Sequence, residues 1–279
     1  MMLPGKTILV TGVASGIWLA TAEVSRALGA DVVRADVVRV DVRGPAQPVG
    51  AVHQADLSHA DGVAAFVAKP PRRIDALCNV AGVSGVAGAA KTLAINFSGL
   101  CALTEAVLPR LREGGAVVNA ALIAGDGLRA NLDRAKALVD AAGFPGDIAA
   151  LLAAAGVGDE IGYPVSKEVL LLWPVRAAHQ QAFKSRGIRV NAVSPGPVTT
   201  PILTEFRAVP GDARVASEMA RRRRCHGGRH RARDLLSVFG SRALDQRGQR
   251  AGRRRAPGVD QPARHGLLEQ GTATWTSDC

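Results

Sequence analysis

Residues 7–18 read TILVTGVASGIW. A run of β-branched and aliphatic residues stops at Gly12, small residues follow, and a helical pattern opens at Gly16. That is a strand, a tight turn and a helix start. Gly12 permits the turn, and Gly16 lets backbone N–H groups approach a pyrophosphate at the helix N-terminus. A glycine turn after a strand is equally a plain structural turn, so the decision rests on what lies downstream.

Downstream the rhythm repeats. Further strands are predicted at 31–37 (DVVRADV), 51–57 (AVHQADL), 74–82 (IDALCNVAG), 116–125 (AVVNAALIAG) and 188–196 (IRVNAVSPG). Most are unbroken apolar runs, the pattern of strands covered on both faces. Helical patterns fill 16–29, 58–68, 92–112 and 160–186. Alternating βα units with buried strands predict an α/β fold, a Rossmann-type doubly wound parallel sheet in a single domain over 1–220. An Ala-rich helical insertion at 126–160 interrupts the rhythm, and beyond about residue 220 the apolar periodicity fails. Asp36 ends the second strand, Asp56 and Leu57 the third, and Asn79–Gly82 the fourth. Together with Gly12 they fall at carboxyl ends of strands, the edge where open α/β sheets bind ligands. A carboxylate at Asp36 suits the two hydroxyls of an adenosine ribose.

Composition bounds the function classes. With 47% apolar residues the chain fills a core, which excludes wholesale disorder. The net charge of +11 invites a nucleic-acid reading, but its distribution is uneven. Residues 221–279 hold 14 Arg, no Lys and 5 acids, leaving 21 bases against 19 acids in the first 220 residues. The body is electrostatically ordinary. Cys78, Cys101, Cys225 and Cys279 show no metal-ligand spacing, so no metal site is expected, and Cys78 and Cys101 lie in apolar runs as core filler. The N-terminus runs from MMLPGK directly into the first strand, which leaves no room for a signal peptide. No apolar run is read as a membrane span, and the expected location is the cytoplasm.

The glycine turn, NVAG (79–82), INFSG (95–99), YPVSK (163–167) and SPGPVTTP (194–201) occur in this order. The sequence resembles the short-chain dehydrogenase/reductase family over about residues 5–205. Within it, QADLSHADG, LCNVAGV, LTEAVL and SPGPVTTPILTEF look most like the coniferyl-alcohol dehydrogenase group, with 3α-hydroxysteroid dehydrogenase/carbonyl reductases close behind. The resemblance implies a nicotinamide dinucleotide, and Asp36 favours NAD over NADP because a carboxylate repels a 2′-phosphate. It places Gly16 and Ile17 at the pyrophosphate, Asp56 and Leu57 at the adenine, and Asn79, Ala81 and Gly82 along the ribose. Pro195, Gly196 and Val198 would hold the nicotinamide end. Tyr163 and Lys167, one helical turn apart, share a helix face. In the family a neighbouring ammonium and the cationic nicotinamide make such a tyrosine an acid/base near neutrality. Tyr163 is the only tyrosine in the chain. Asn96 matches the family asparagine that anchors a water leading from the lysine to solvent. The implied reaction is reversible hydride transfer between a secondary or aromatic/allylic alcohol and its carbonyl. The insertion at 126–160 is expected to cover that substrate, and a homo-oligomer is the family's usual assembly.

Three departures set up an alternative. Trp18 stands where the family keeps a third glycine that lets helix and strand pack closely. Leu122, after Ala121, stands where the family has a serine that hydrogen-bonds the substrate oxygen. Losing a donor aimed at developing negative charge costs roughly a hundredfold or more in rate. The family's closing Trp-Ile-Asn-Gly and Val-Asp-Gly-Gly motifs are missing, yet LDQRG (244–248) and GRRRA (252–256), read one base late, can encode them. On that hypothesis the chain leaves its ancestral reading frame near Arg221–Arg224 and the arginines are a by-product of GC-rich codons, with a selected polyanion-binding tail as the runner-up. These departures support a catalytically impaired relative as the alternative, with a dinucleotide-fold protein carrying a nucleic-acid-binding tail behind it. Arginine without lysine or interleaved aromatics suits nucleic-acid binding poorly.

Overall fold

The structure, a computed structural model, describes residues 3–12, 16–36, 51–54, 56–68, 73–141 and 143–195. Among them six parallel strands form one sheet: β1 (Thr7–Thr11), β2 (Asp31–Asp36), β3 (Ala51–Gln54), β4 (Ile74–Asn79), β5 (Leu111–Ala120) and β6 (Arg189–Val193). Their spatial order is β3-β2-β1-β4-β5-β6. Chain progression reverses direction between β1 and β4, the switch point at whose carboxyl edge open α/β sheets bind ligands. The helices are α1 (Gly16–Ala27), α2 (Ala60–Val67), α3 (Ala89–Leu93), α4 (Leu100–Val107), α5 (Leu132–Asp140), α6 (Ile148–Ala154), α7 (Asp159–His179) and α8 (Gln181–Lys184).

The unbroken apolar runs become strands because each residue has a buried face to occupy. Leu9, Leu77, Val117 and Val190 point into a larger core with Val63 and Phe66 of α2, Leu103 of α4 and Val169 of α7. Their neighbours Ile8, Val10, Ala76, Cys78 and Val118 point the other way, against Ile17 and Ala22 of α1. A period of two is therefore hidden inside sequences that read as uniformly apolar. Cys78 and Cys101 are buried free thiols, and burial pushes both well above the ordinary thiol range.

Several boundaries differ from the sequence reading. The helix expected over 92–112 begins at Ala89, widens into a π-helical turn over Ala94–Gly99, and closes as a tight 3₁₀ turn at Leu108–Arg110. Pro109 lacks the amide that would continue the helix. The strand expected over 116–125 starts at Leu111 and ends at Ala120. Ile74 pairs with Leu111 but Ala76 with Ala116, so residues 112–115 bulge out of the ladder. The far end stops because Leu122 adopts φ 68°, outside any extended conformation, and a 3₁₀ segment follows at Ile123–Arg129. The segment Ala89–Arg110 is long and apolar enough to cross a membrane, contrary to expectation, with a mean hydropathy of 1.3. Most of it, however, is buried inside the fold as a core helix.

The insertion is helical as expected, and it joins the main core. Ala135, Leu138 and Val139 of α5 and Leu152 of α6 bury their side chains with those of α7. Asp147 caps α6 by accepting from the Ala150 N–H at 2.8 Å. The tail at 221–279 lies outside the described residues.

Candidate active site

The carboxyl ends of β1 and β4 are tied together by Thr11. Its hydroxyl accepts from the Val80 and Ala81 N–H groups at 3.0 and 3.1 Å and donates to the Cys78 carbonyl at 3.4 Å. This clamp ties the end of β1, which Gly12 follows with φ 84°, to the loop after β4. Thr11 was missed from the sequence because a threonine ending a strand reads as ordinary β propensity.

Asn96 sits in the π-helical turn, wholly buried. Its Oδ1 accepts from the Val83 N–H at 2.8 Å, while its Nδ2 donates to the Val83 carbonyl at 3.0 Å and to Ser166 Oγ at 3.1 Å. Ser166 in turn donates to the Tyr163 carbonyl at 2.7 Å. One amide thus locks the loop after β4 to the turn of α7 that carries Tyr163 and Lys167. A π turn inserts one extra residue and re-aims its side chains, a feature frequent at functional sites.

Lys167 is 2% exposed, and its Nζ lies 5.6 Å from the centroid of the Tyr163 ring. The ammonium donates to the Ala120 carbonyl at 3.4 Å, the last residue of β5. No carboxylate pairs with it among the described residues. Burial lowers its pKa from 10.5 to about 8. The Tyr163 phenol moves the opposite way: burial pushes it well above its ordinary 10. The family resemblance implies a phenol acidified by the neighbouring amine together with a bound cationic nicotinamide. In the protein alone desolvation dominates both groups, and Tyr163 stands protonated at neutral pH.

Gly82 completes the cluster. A Cβ there would lie 3.0 Å from Asn96 Oδ1 and 3.4 Å from Lys167 Nζ, so only glycine leaves this space beside the ammonium. Gly85 is likewise close, 3.3 Å from the Tyr163 Cβ when given a side chain. A buried cation with spare donors, next to a hollow that a methyl group would fill, suits an oxygen-bearing ligand such as the ribose of a dinucleotide.

The remaining predicted residues are placed unevenly. Ile17 and Ala81 are buried beside the edge, and Pro195 is half-buried after β6. The Asn79 side chain turns into the sheet, donating to Thr104 Oγ1 at 2.7 Å and Asn119 Oδ1 at 2.9 Å. The Leu57 side chain is in the larger core, and its carbonyl sits where a Cβ on Gly99 would be. Asp56 is exposed and accepts from the Ser58 hydroxyl and the Ser58 N–H, which hold its carboxyl below the usual range. Gly16 begins α1, and Trp18 lies in that helix's first turn without breaking the backbone. The side chains of Asp36 and Trp18, and all of Gly196 and Val198, lie outside the described residues. Leu122 is half-buried against the smaller core and carries the one positive φ among described non-glycine residues.

Comparison with known proteins settles the family. A family model for short chain dehydrogenase matches residues 6–133. Coniferyl-alcohol dehydrogenase of Pseudomonas sp. strain HR199 is 40% identical over 224 residues, spanning 80% of this chain and 85% of that protein. The chain belongs to the short-chain dehydrogenase/reductase family. It is therefore an oxidoreductase by family. D-threitol dehydrogenase of Mycolicibacterium smegmatis is 31% identical over 224 residues, 73% of each chain. The crystal structure of 3-alpha-hydroxysteroid dehydrogenase from Pseudomonas sp. B-0831, complexed with NADH, superposes with a TM-score of 0.66. It is 26% identical and covers 86% of this chain and 92% of that one. Among the described residues no group of three or more His, Cys, Asp or Glu side chains is placed to hold a metal ion.

Proposed function

We propose that this short-chain dehydrogenase interconverts a secondary or aromatic/allylic alcohol and its carbonyl with NAD, in the cytoplasm. The observation that carries the reading is the buried Lys167 ammonium, which faces the Tyr163 ring beside the Gly82 hollow. Gly12, Gly16, Ile17 and Asp36 would hold the pyrophosphate and adenosine ribose, with Asp56 and Leu57 near the adenine. Asn79, Ala81, Gly82 and Lys167 would line the second ribose, and Pro195, Gly196 and Val198 the nicotinamide. Since the Asn79 amide is used inside the sheet, its contribution is to hold the loop that carries Ala81 and Gly82. The names of two relatives, a coniferyl-alcohol and a hydroxysteroid dehydrogenase, favour a substrate with a rigid apolar body.

The bound cofactor supplies the hydride chemistry. The chain's own part is proton handling and orientation. Tyr163 Oη, protonated at neutral pH, donates to a carbonyl oxygen during reduction and takes the hydroxyl proton back during oxidation. Lys167 shares its face, and its charge favours phenolate when the proton leaves. Asn96 and Ser166 hold that turn in place. The insertion lies next to α7 and would close the substrate's apolar side.

Titration with NAD and NADP, followed by fluorescence of the three tryptophans, tests cofactor choice. Turnover of a panel of aromatic and steroid alcohols tests the activity, and Tyr163→Phe is expected to abolish it. Undiminished turnover in Tyr163→Phe would overturn the reading. The impaired-relative reading rests on Leu122, which brings no donor to the end of β5. Dinucleotide binding without any turnover would favour it.

A further inference from the structure

The turn carrying Tyr163 and Lys167 belongs to a helix that is weak in its own backbone. Pro164 and Pro174 both lie inside α7. Neither has an N–H to donate, so one backbone hydrogen bond is missing on each side of Lys167. Side chains must then fix this turn. Ser166 supplies one tie, to Asn96. Glu168 supplies another, on a different face of the helix, at about 200° from Ser166 for 100° per residue.

Glu168 is 3% exposed, unusual for a carboxylate. Its Oε1 accepts from Asn131 Nδ2 at 2.9 Å, and its Oε2 lies 3.4 Å from Arg134 Nη2. Both partners come from the insertion. The same Asn131 amide donates to the Gly127 carbonyl at 3.1 Å, and a Cβ on Gly127 would collide with the Glu168 carboxylate. Two residues earlier, a Cβ on Gly125 would sit 2.9 Å from the Lys167 carbonyl. The segment leaving Leu122 is thus pressed onto the backbone of Lys167 and bolted there by the neighbouring carboxylate. We propose that Glu168 is a positioning residue, coupling the insertion to the helical turn that aims Lys167 and Tyr163. The proposal rests on the dehydrogenase reading given above.

The test uses Glu168→Gln, Arg134→Gln and the double variant in the full chain. Glu168→Gln keeps the side chain's shape but leaves Arg134 facing a neutral group. Arg134→Gln perturbs the junction from the insertion side, so the result does not depend on one variant folding. The expected result is a kcat lowered at least tenfold in Glu168→Gln, with most of the loss recovered in the double variant. A second readout needs no turnover. Acetylation of Lys167 by acetic anhydride, followed by mass spectrometry, is expected to run at least fivefold faster in either single variant than in the wild type. A lowered Tm with kcat and Lys167 labelling both unchanged would overturn the proposal, since Glu168 would then serve stability alone. Wild-type chain that neither binds dinucleotide nor turns over any alcohol would overturn the dehydrogenase reading first and this proposal with it. Normal wild-type turnover with unaffected Glu168 variants would overturn the proposal only.

Discussion

Replacing Lys167 by Met is expected to make the protein more stable while removing its activity. The magnitude follows from the environment of the ammonium. Burial lowers its pKa from 10.5 to about 8, a difference worth about 3 kcal/mol at 1.36 kcal/mol per unit. Below pH 8 both folded and unfolded chains carry the proton, and the folded state bears the whole penalty. Between pH 8 and 10.5 the unfolded chain binds more protons, so stability due to this group rises with pH. Methionine fills much of the same volume without the charge. Against that gain stand the contact with the Tyr163 ring, about 0.5–2 kcal/mol, and the long hydrogen bond to Ala120. Allowing also up to about 1 kcal/mol for imperfect packing, Lys167→Met should gain up to about 2 kcal/mol at pH 7. At about 2–4 °C per kcal/mol for a chain of this size, Tm rises by up to roughly 8 °C. Cys78, Cys101 and Tyr163 titrate with raised values and remove stability above about pH 9–10. The two cysteines do so in both proteins and cancel in the difference, while Tyr163, without the Lys167 charge beside it, loses more in the variant and narrows the gap further. Calorimetric melts of the pair at pH 7 and pH 10 measure it. A variant that melts below wild type at pH 7, or a gap that stays flat to pH 10, would refute the argument.

Three further outcomes are expected. Leu122→Gly should cost almost nothing or stabilise by up to about 1 kcal/mol in urea unfolding, because relief of a left-handed backbone (about 1–3 kcal/mol) offsets a half-buried leucine (about 1–1.5 kcal/mol); a loss above about 2 kcal/mol would contradict the strain. Gly82→Ala should weaken NAD binding at least tenfold, seen by calorimetry, while changing Tm little, since the added methyl meets side-chain ends rather than backbone. Alcohol oxidation should climb with pH from neutrality upward and carbonyl reduction should not, because burial keeps Tyr163 protonated; stopped-flow rates showing the reverse ordering would count against Tyr163 as the proton-handling group.

The strands and the sheet edge were legible because most of the apolar runs had two faces to bury and carried Gly, Asp or Asn at or near their carboxyl ends. The Tyr163/Lys167 pair was legible because YPVSK resembles the family's motif in its usual place and helical spacing puts both residues on one face. What stayed hidden depended on partners distant in the chain. Thr11 acts on amides at Val80 and Ala81, and Asn79 spends its amide on Thr104 and Asn119. Nothing near Glu168 in sequence announces that Asn131 and Arg134 will enclose it. Packing adds what spacing omits: both groups have lost water, and in the protein alone burial raises the phenol.

Leu122 joins the legible and the hidden at one residue. Its lack of a donor was visible in the sequence, but its φ of 68° was not. With ψ at 161° it occupies a region that is nearly reserved for glycine. A leucine persists there only if the surroundings over-determine it. They do so from both sides. The preceding Ala121 N–H donates to the Val193 carbonyl at 3.0 Å, and the Leu122 carbonyl accepts from Gly125 N–H at 3.2 Å. The side chain then rests on the smaller core with Val10, Val118 and Val193. Gly125 in its turn admits no side chain against Lys167. The backbone strain at the end of β5 is therefore held by the same packing that seats α7. Restoring a hydroxyl with Leu122→Ser removes the apolar anchor while supplying the donor. If substrate-oxygen stabilisation limits the rate, turnover rises by about a hundredfold despite a small loss in Tm. If the strained backbone alone holds Lys167 in register, turnover falls together with Tm.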